Sequence, residues 1–107
     1  MATAPNYTEE QGQVSTFAKA FGHPARVAII QHLFERKECI CGDLVEEIGL
    51  AQPTISQHLK ELKNLGLIRG TIEGPRVCYC IHRENWSKMK ELMNAFLNQD
   101  LPENQCC

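Results

Sequence analysis

Residues Gln52 to Ile68 read QPTISQHLKELKNLGLI, and how this stretch folds decides the rest of the chain. Pro53 suits the first turn of a helix, where its missing N–H is no loss. Ile55, Leu59 and Leu62 then fall on one side at helical spacing, and Gly66 supplies a stop. With those three apolar residues turned inward, the opposite face presents Thr54, Gln57, His58, Lys60, Glu61 and Asn64, with Ser56 at its edge and Gln52 just ahead. A helix so divided is anchored on one side and chemically equipped on the other.

Upstream, Val14, Phe17, Ala18 and Phe21 recur at the spacing of a buried helical stripe that ends near Gly22. His23-Pro24 reads as a cap followed by a first-turn proline, and Val27, Ile30, Leu33 and Phe34 continue a second amphipathic helix. Asp43 is placed to cap a short third helix holding Leu44, Val45 and Ile48, closed by Gly49. Downstream of the fourth helix the period changes. LIRGTIE and RVCYCIH are short β-type runs separated by the turn signal Gly74-Pro75, so they form a hairpin. Asn85 then precedes a helix with Trp86, Met89, Met93, Phe96 and Leu97 along one side. The expected class is mainly α with a β-hairpin wing, a winged helix-turn-helix of order α-α-α-α-β-β-α that pairs as a homodimer. Residues 1–12 are expected to be flexible, 13–98 to form the domain, and 99–107 to be a loose, cysteine-ended tail.

Size and charge narrow the function classes. A chain of 107 residues makes one domain, and its apolar runs are far too short for the roughly 20 residues of a membrane span. Its N-terminus lacks the basic segment and apolar run of a secretory signal, so a cytoplasmic protein with reduced thiols is expected. The net charge is −2, yet residues 53 to 90 carry seven lysines and arginines against three acids. That asymmetry suits a phosphate-facing surface within an acidic chain. No Ser-His-Asp arrangement, phosphate-cradling glycine loop or paired-carboxylate pocket points to an enzyme.

Gln, Ser, Thr and His side chains donate and accept at base edges, and recognition helices use their first turns for this purpose. The expected DNA-contacting set is therefore Gln52, Thr54, Ser56, Gln57 and His58 for the groove, with Lys60, Lys63, Arg69 and Arg76 for phosphates of double-stranded DNA. The last helix has more apolar surface than a small core can cover. It is expected to form a dimer interface through Trp86, Met89, Met93, Phe96 and Leu97, beside Val14, Phe17 and Phe21 of the first helix.

Gly22-His23-Pro24-Ala25-Arg26, Gly42-Asp43-Leu44, the QPTISQHLKELKNLGLI stretch and the wing EGPRVCYCI together resemble the ArsR/SmtB family of winged-helix repressors. The likeness runs from about residue 14 to 97. It implies a homodimer that occupies a palindromic operator and lets go when a metal, metalloid or oxidant binds. Arsenite sensors of the family carry Cys-x-Cys-x-x-Cys at the start of the short third helix. Counted from Asp43-Leu44, those positions here are Ile40, Gly42 and Val45, so this chain departs from that pattern. The family's zinc site, built from Asp and His on the last helix, has no counterpart between Trp86 and Leu97.

Six cysteines remain to be placed. Cys39 and Cys41 stand ahead of the short helix, whose dipole favours thiolates although Asp43 opposes it. Soft ions such as As(III), Cu(I) or Cd(II) prefer sulfur, and Cys106 and Cys107 of the tail offer further ligands. Cys78 and Cys80 share one strand face. If Tyr79 and Ile81 point inward they face out, either as a reactive thiol pair or as small β-tolerant residues. The leading reading is a dimeric repressor released by arsenite or another thiophilic ion at Cys39 and Cys41. A repressor sensing oxidants or persulfides, and a winged-helix module that binds protein alone, are the alternatives.

Overall fold

The computed structural model describes residues 6–36, 40–41, 48–73 and 76–103, with backbone alone for residues 36, 40–41, 72–73 and 76–77. Helix α1 spans Glu9–Ala20. It begins four residues before the expected boundary at 13, and the cause is local. Thr8 Oγ1 accepts from the Gln11 amide at 3.1 Å, while Gln11 Oε1 accepts from the Thr8 amide at 3.0 Å, a reciprocal capping box. Helix α2, Pro24–Arg36, opens as expected, with His23 Nδ1 accepting from the Ala25 amide. The expected short third helix lies mostly outside the described residues. Its end is visible, with Ile48 helical and Gly49 at φ 78°, the left-handed conformation of a closing glycine.

Helix α3, Gln52–Asn64, is the fourth helix of the expected order, with Pro53 in its first turn. Its stop is a Schellman motif: the Gly66 amide bonds the Lys63 carbonyl and the Leu67 amide bonds the Leu62 carbonyl, with Gly66 at φ 80°. The chain then enters strand β2, Ile68–Glu73, which pairs antiparallel with β3, Arg76–Ile81. A third strand was not foreseen. The two residues of β1, Ile40–Cys41, pair with the far side of β3, giving the order β1-β3-β2. Helix α4, Arg83–Leu97, follows. Its cap is His82, whose Nδ1 accepts from the Asn85 amide, so Asn85 sits inside the first turn and not before it. The Asn85 side chain instead donates to the Gly66 carbonyl, joining the start of α4 to the stop of α3.

The core is assembled where α2, α3 and the wing meet. Ile29 and Leu33 of α2 pack with Ile55, Leu59 and Leu62 of α3, with Leu67 and Ile68, and with Tyr79 of β3. Met89 is 4% exposed within this one chain. Its place in the expected dimer interface is therefore corrected: it turns into the subunit's own core. Phe17, Phe21, Trp86 and Met93 form a half-buried layer over that core, and the Trp86 ring meets Phe21 and Phe34 edge-on at 6.0 and 5.0 Å. Tyr79 points inward as alternation predicts. Its buried hydroxyl finds no hydrogen-bond partner among the described residues, and burial pushes its pKa upward.

Gly70 sets how closely the wing strands approach. Its φ is 144°, it pairs with Tyr79, and a Cβ there would run into the backbone of Cys78 and Tyr79. Gly70→Ala is accordingly expected to cost roughly 3 kcal/mol or more, read as a lower urea midpoint. A loss under about 1 kcal/mol would contradict this role for Gly70.

Candidate nucleic-acid interface

Helix α3 can serve as a reading head only if its roll about its own axis is fixed. Ile55, Leu59 and Leu62 fix it, being 1%, 0% and 0% exposed. That places Gln52, Thr54, Gln57, Lys60, Lys63 and Asn64 on the exposed side, with Ser56 partly covered. No acidic residue occupies the first turn of α3, so the positive end of its dipole is not neutralised there. Gln52 Nε2 donates to Ser56 Oγ at 3.2 Å, and Gln57 Nε2 lies 3.4 Å from Glu61 Oε1. These weak exposed contacts can be exchanged for contacts to bases. Lys63 behaves differently, since its Nζ donates to the Gly70 carbonyl at 2.6 Å and ties the end of α3 to the wing. Arg69 is exposed on β2, and the side chain of Arg76 lies outside the described residues.

His58 requires a correction. Expected on the exposed face, it is 8% exposed and turned toward α2. Arg26 Nε donates to His58 Nδ1 at 3.1 Å, and the same guanidinium ion-pairs with Glu61 and donates to the Lys19 carbonyl. The His23 ring stands 4.6 Å from that of His58, centroid to centroid. Burial first, then the nearby His23 and Arg26, pull the His58 pKa below its ordinary value. A neutral imidazole is what this geometry needs, because only an unprotonated Nδ1 can accept from Arg26. The signal was present in the sequence: residues 55, 58, 59 and 62 follow the i, i+3, i+4, i+7 spacing of a buried stripe. Arg26, which clamps α3 from α2, was not singled out from sequence.

The expected sulfur sites are only partly in view. Cys39, Cys106 and Cys107 lie outside the described residues, and Cys41 is described by its backbone in β1. Cys78 is exposed and Cys80 partly so, on the side of β3 away from Tyr79, and both are disulfide-bonded. Among the described residues no group of three or more His, Cys, Asp or Glu is gathered for a metal. Of the expected interface residues, Phe96 and Leu97 are well exposed, while Val14, Phe17, Phe21, Trp86 and Met93 are half-buried along the packed α1–α4 pair. No helix among the described residues is long and apolar enough to cross a membrane.

A roll-locked polar helix after a glycine-closed turn, flanked by a β wing, defines a winged helix-turn-helix protein. Residues 23–69 match the bacterial regulatory protein, arsR family. Over 98 residues the chain is 30% identical to the biofilm growth-associated repressor of Xylella fastidiosa, covering 87% of this chain and 82% of that protein. The chain belongs to the ArsR family. It is also 36% identical over 76 residues to the HTH-type transcriptional repressor SmtB of Mycobacterium tuberculosis, covering 71% of this chain and 56% of SmtB. It thus spans little more than half of that relative's length. Among solved structures, NolR from Sinorhizobium fredii superposes with a TM-score of 0.62 at 24% identity, covering 94% of this chain and 99% of NolR. The cadmium metal-sensor CMTR from Mycobacterium tuberculosis gives 0.53 at 27% identity, covering 88% and 96%.

The His58 node carries a pH dependence whose sign follows from its lowered pKa. The unfolded chain takes up its proton near 6.5 while the folded chain resists, so this stability is present above about 6.5 and is lost as pH falls below it. The Tm is expected to drop between pH 7 and pH 5, and His58→Gln to flatten that drop. An unchanged slope in the variant would contradict the assignment.

Proposed function

We propose that the protein is a dimeric transcriptional repressor that binds operator DNA and releases it when a thiophilic ion, As(III) foremost, meets its cysteines. The observation that carries the DNA-binding part is the rigid presentation of Gln52, Thr54, Gln57 and Lys60 on a helix whose other side is fully buried. Two such helices in a symmetric dimer sit about 34 Å apart, one turn of the duplex, so the operator is an imperfect palindrome. Exposed Phe34, Phe96 and Leu97, beside the half-buried aromatic layer, supply apolar surface for the second subunit. Cys39 and Cys41 precede the helix pair that reads DNA, so an ion held there acts on the segment leading into α3. Cys106 and Cys107 are two further soft donors that the chain carries. The name of the relative that senses cadmium, a soft ion, supports thiolate chemistry as the trigger.

The disulfide state of Cys78 and Cys80 favours a second reading, in which oxidation of thiols is the trigger in place of an ion. Intact-mass measurement separates the two: an arsenic adduct marks the first, and a loss of hydrogens on disulfide formation marks the second.

Binding to operator duplex, followed by fluorescence anisotropy over a range of salt, tests the repressor. Gln57→Ala is expected to weaken specific binding by roughly 1–3 kcal/mol with the salt slope unchanged, and Lys60→Ala to lower that slope by about one. Wild-type affinity and slope in both variants would overturn this assignment of the α3 face. Arsenite is expected to release the wild-type protein, and release is expected to be lost in Cys41→Ser.

A further inference from the structure

Antiparallel β1 and β3 put two of the chain's sulfur residues face to face. Cys41 is the direct Cα partner of Cys78, beside the pair Ile40 and Tyr79. Residues so opposed lie about 4.5–5.5 Å apart between Cα atoms. That is inside the roughly 4.4–6.8 Å window within which two cysteine sulfurs can meet. Cys78 and Cys80 alternate with buried Tyr79, so both stand on the solvent side of β3.

Both are disulfide-bonded. Two residues apart on an extended strand, their Cβ atoms are held roughly 6.6 Å apart, well beyond the ~3.5–4.5 Å that a bond between them needs. Each therefore draws its sulfur partner from another part of the chain, and four cysteines remain to supply it: Cys39, Cys41, Cys106 and Cys107. The register sets the Cα of Cys41 directly opposite that of Cys78. The outer face of β3 thus carries Cys78 and Cys80, with the backbone of Cys41 opposite the first.

We propose that, once reduced, Cys41, Cys78 and Cys80 form one sulfur site for a soft ion across the β1–β3 pairing, and that this site is the trigger for release. The inference deepens the repressor reading above and rests on it for the word release. It takes two of its three ligands from the wing and only Cys41 from the Cys39-x-Cys41 pair. With arsenite as the ion, three S–As bonds replace three As–O bonds. The three thiol protons leave with the three hydroxyls as water, and arsenic stays trivalent. No electron acceptor is required. The site reaches the DNA-binding face through the sheet. β3 lies between β1 and β2, and β2 is fastened to α3 by the Lys63 bond to the Gly70 carbonyl. An ion that clamps β1 to β3 acts on the sheet to which the recognition helix is tied.

The test uses the full chain, reduced with a phosphine and handled without oxygen. Arsenite is titrated by the sulfur-to-arsenic absorption band and, in parallel, by release from operator duplex. One arsenite per protomer is expected for the wild type. Binding is expected to weaken at least tenfold in Cys41→Ser and in Cys78→Ser, and to persist in the double variant Cys106→Ser/Cys107→Ser. Each variant's Tm is recorded beside the titration. Separately, peptide mapping after treatment with glutathione disulfide is expected to give a peptide joining Cys41 to Cys78. Arsenite binding of wild-type strength in a folded Cys78→Ser would overturn the site, as would a map in which Cys41 is joined elsewhere. The repressor reading fails on a different result, absence of duplex binding by every form, and the absorption titration judges the sulfur site even then. Cys39→Ser is measured alongside and is expected to bind arsenite as the wild type does; a tenfold loss there would overturn the three-sulfur set of Cys41, Cys78 and Cys80.

Discussion

Burial of one side of α3 is the constraint on which the molecule depends. Ile55, Leu59 and Leu62 are closed off from solvent against α2 and the wing, and truncating any one to alanine costs about 2–5 kcal/mol by the usual measure of cavity formation. Hydrophobic contact alone sets which side faces in, but it tolerates slippage along and about the helix axis. The Arg26 node removes that freedom, because a guanidinium bonded at once to His58, Glu61 and the Lys19 carbonyl accepts only one placement of α3 against α2. At the other end, the Lys63 bond to Gly70 and the Asn85 bond to the Gly66 carbonyl hold the exit from the helix. A surface that is to meet base edges within a few tenths of an ångström needs this kind of three-point fixation.

Most of the fold could be read from spacing because its elements are long and regularly patterned. The α3 stripe and the Gly66 stop each rest on residues with a direct mechanical reason to be there, and the two wing strands pair as their β-type runs imply. What escaped the reading has physical causes too. A strand as short as Ile40–Cys41 contains no period, and only its pairing with β3 defines it. His82 won the cap of α4 over Asn85 because Asn85 is engaged with Gly66, a contact 19 residues away in the chain. Met89 was assigned outward by counting apolar residues on α4, whereas it packs into the core cluster. His58 was misplaced through its polarity, although its spacing was that of a core residue.

Of the candidate DNA face, Gln52, Thr54, Gln57, Lys60 and Arg69 stand exposed where the sequence put them. Lys63 is exposed but already engaged with the wing, so its contribution to phosphate contact competes with a structural role. The arrangement of the cysteines was the least legible part, since it depends on a cross-strand register. Two Cys-x-Cys pairs separated by 36 residues give no hint in one dimension that Cys41 faces Cys78. That register joins the segment ahead of α3 to the wing beside it.

The most direct measurement is hydroxyl-radical and methylation footprinting of the reduced protein on a duplex selected from a random pool. Two protected major-groove segments on one face of the DNA, centred about 34 Å apart and related by an approximate dyad, are expected. A single protected segment, or protection that stays off the major groove, would contradict the paired, α3-led mode of binding.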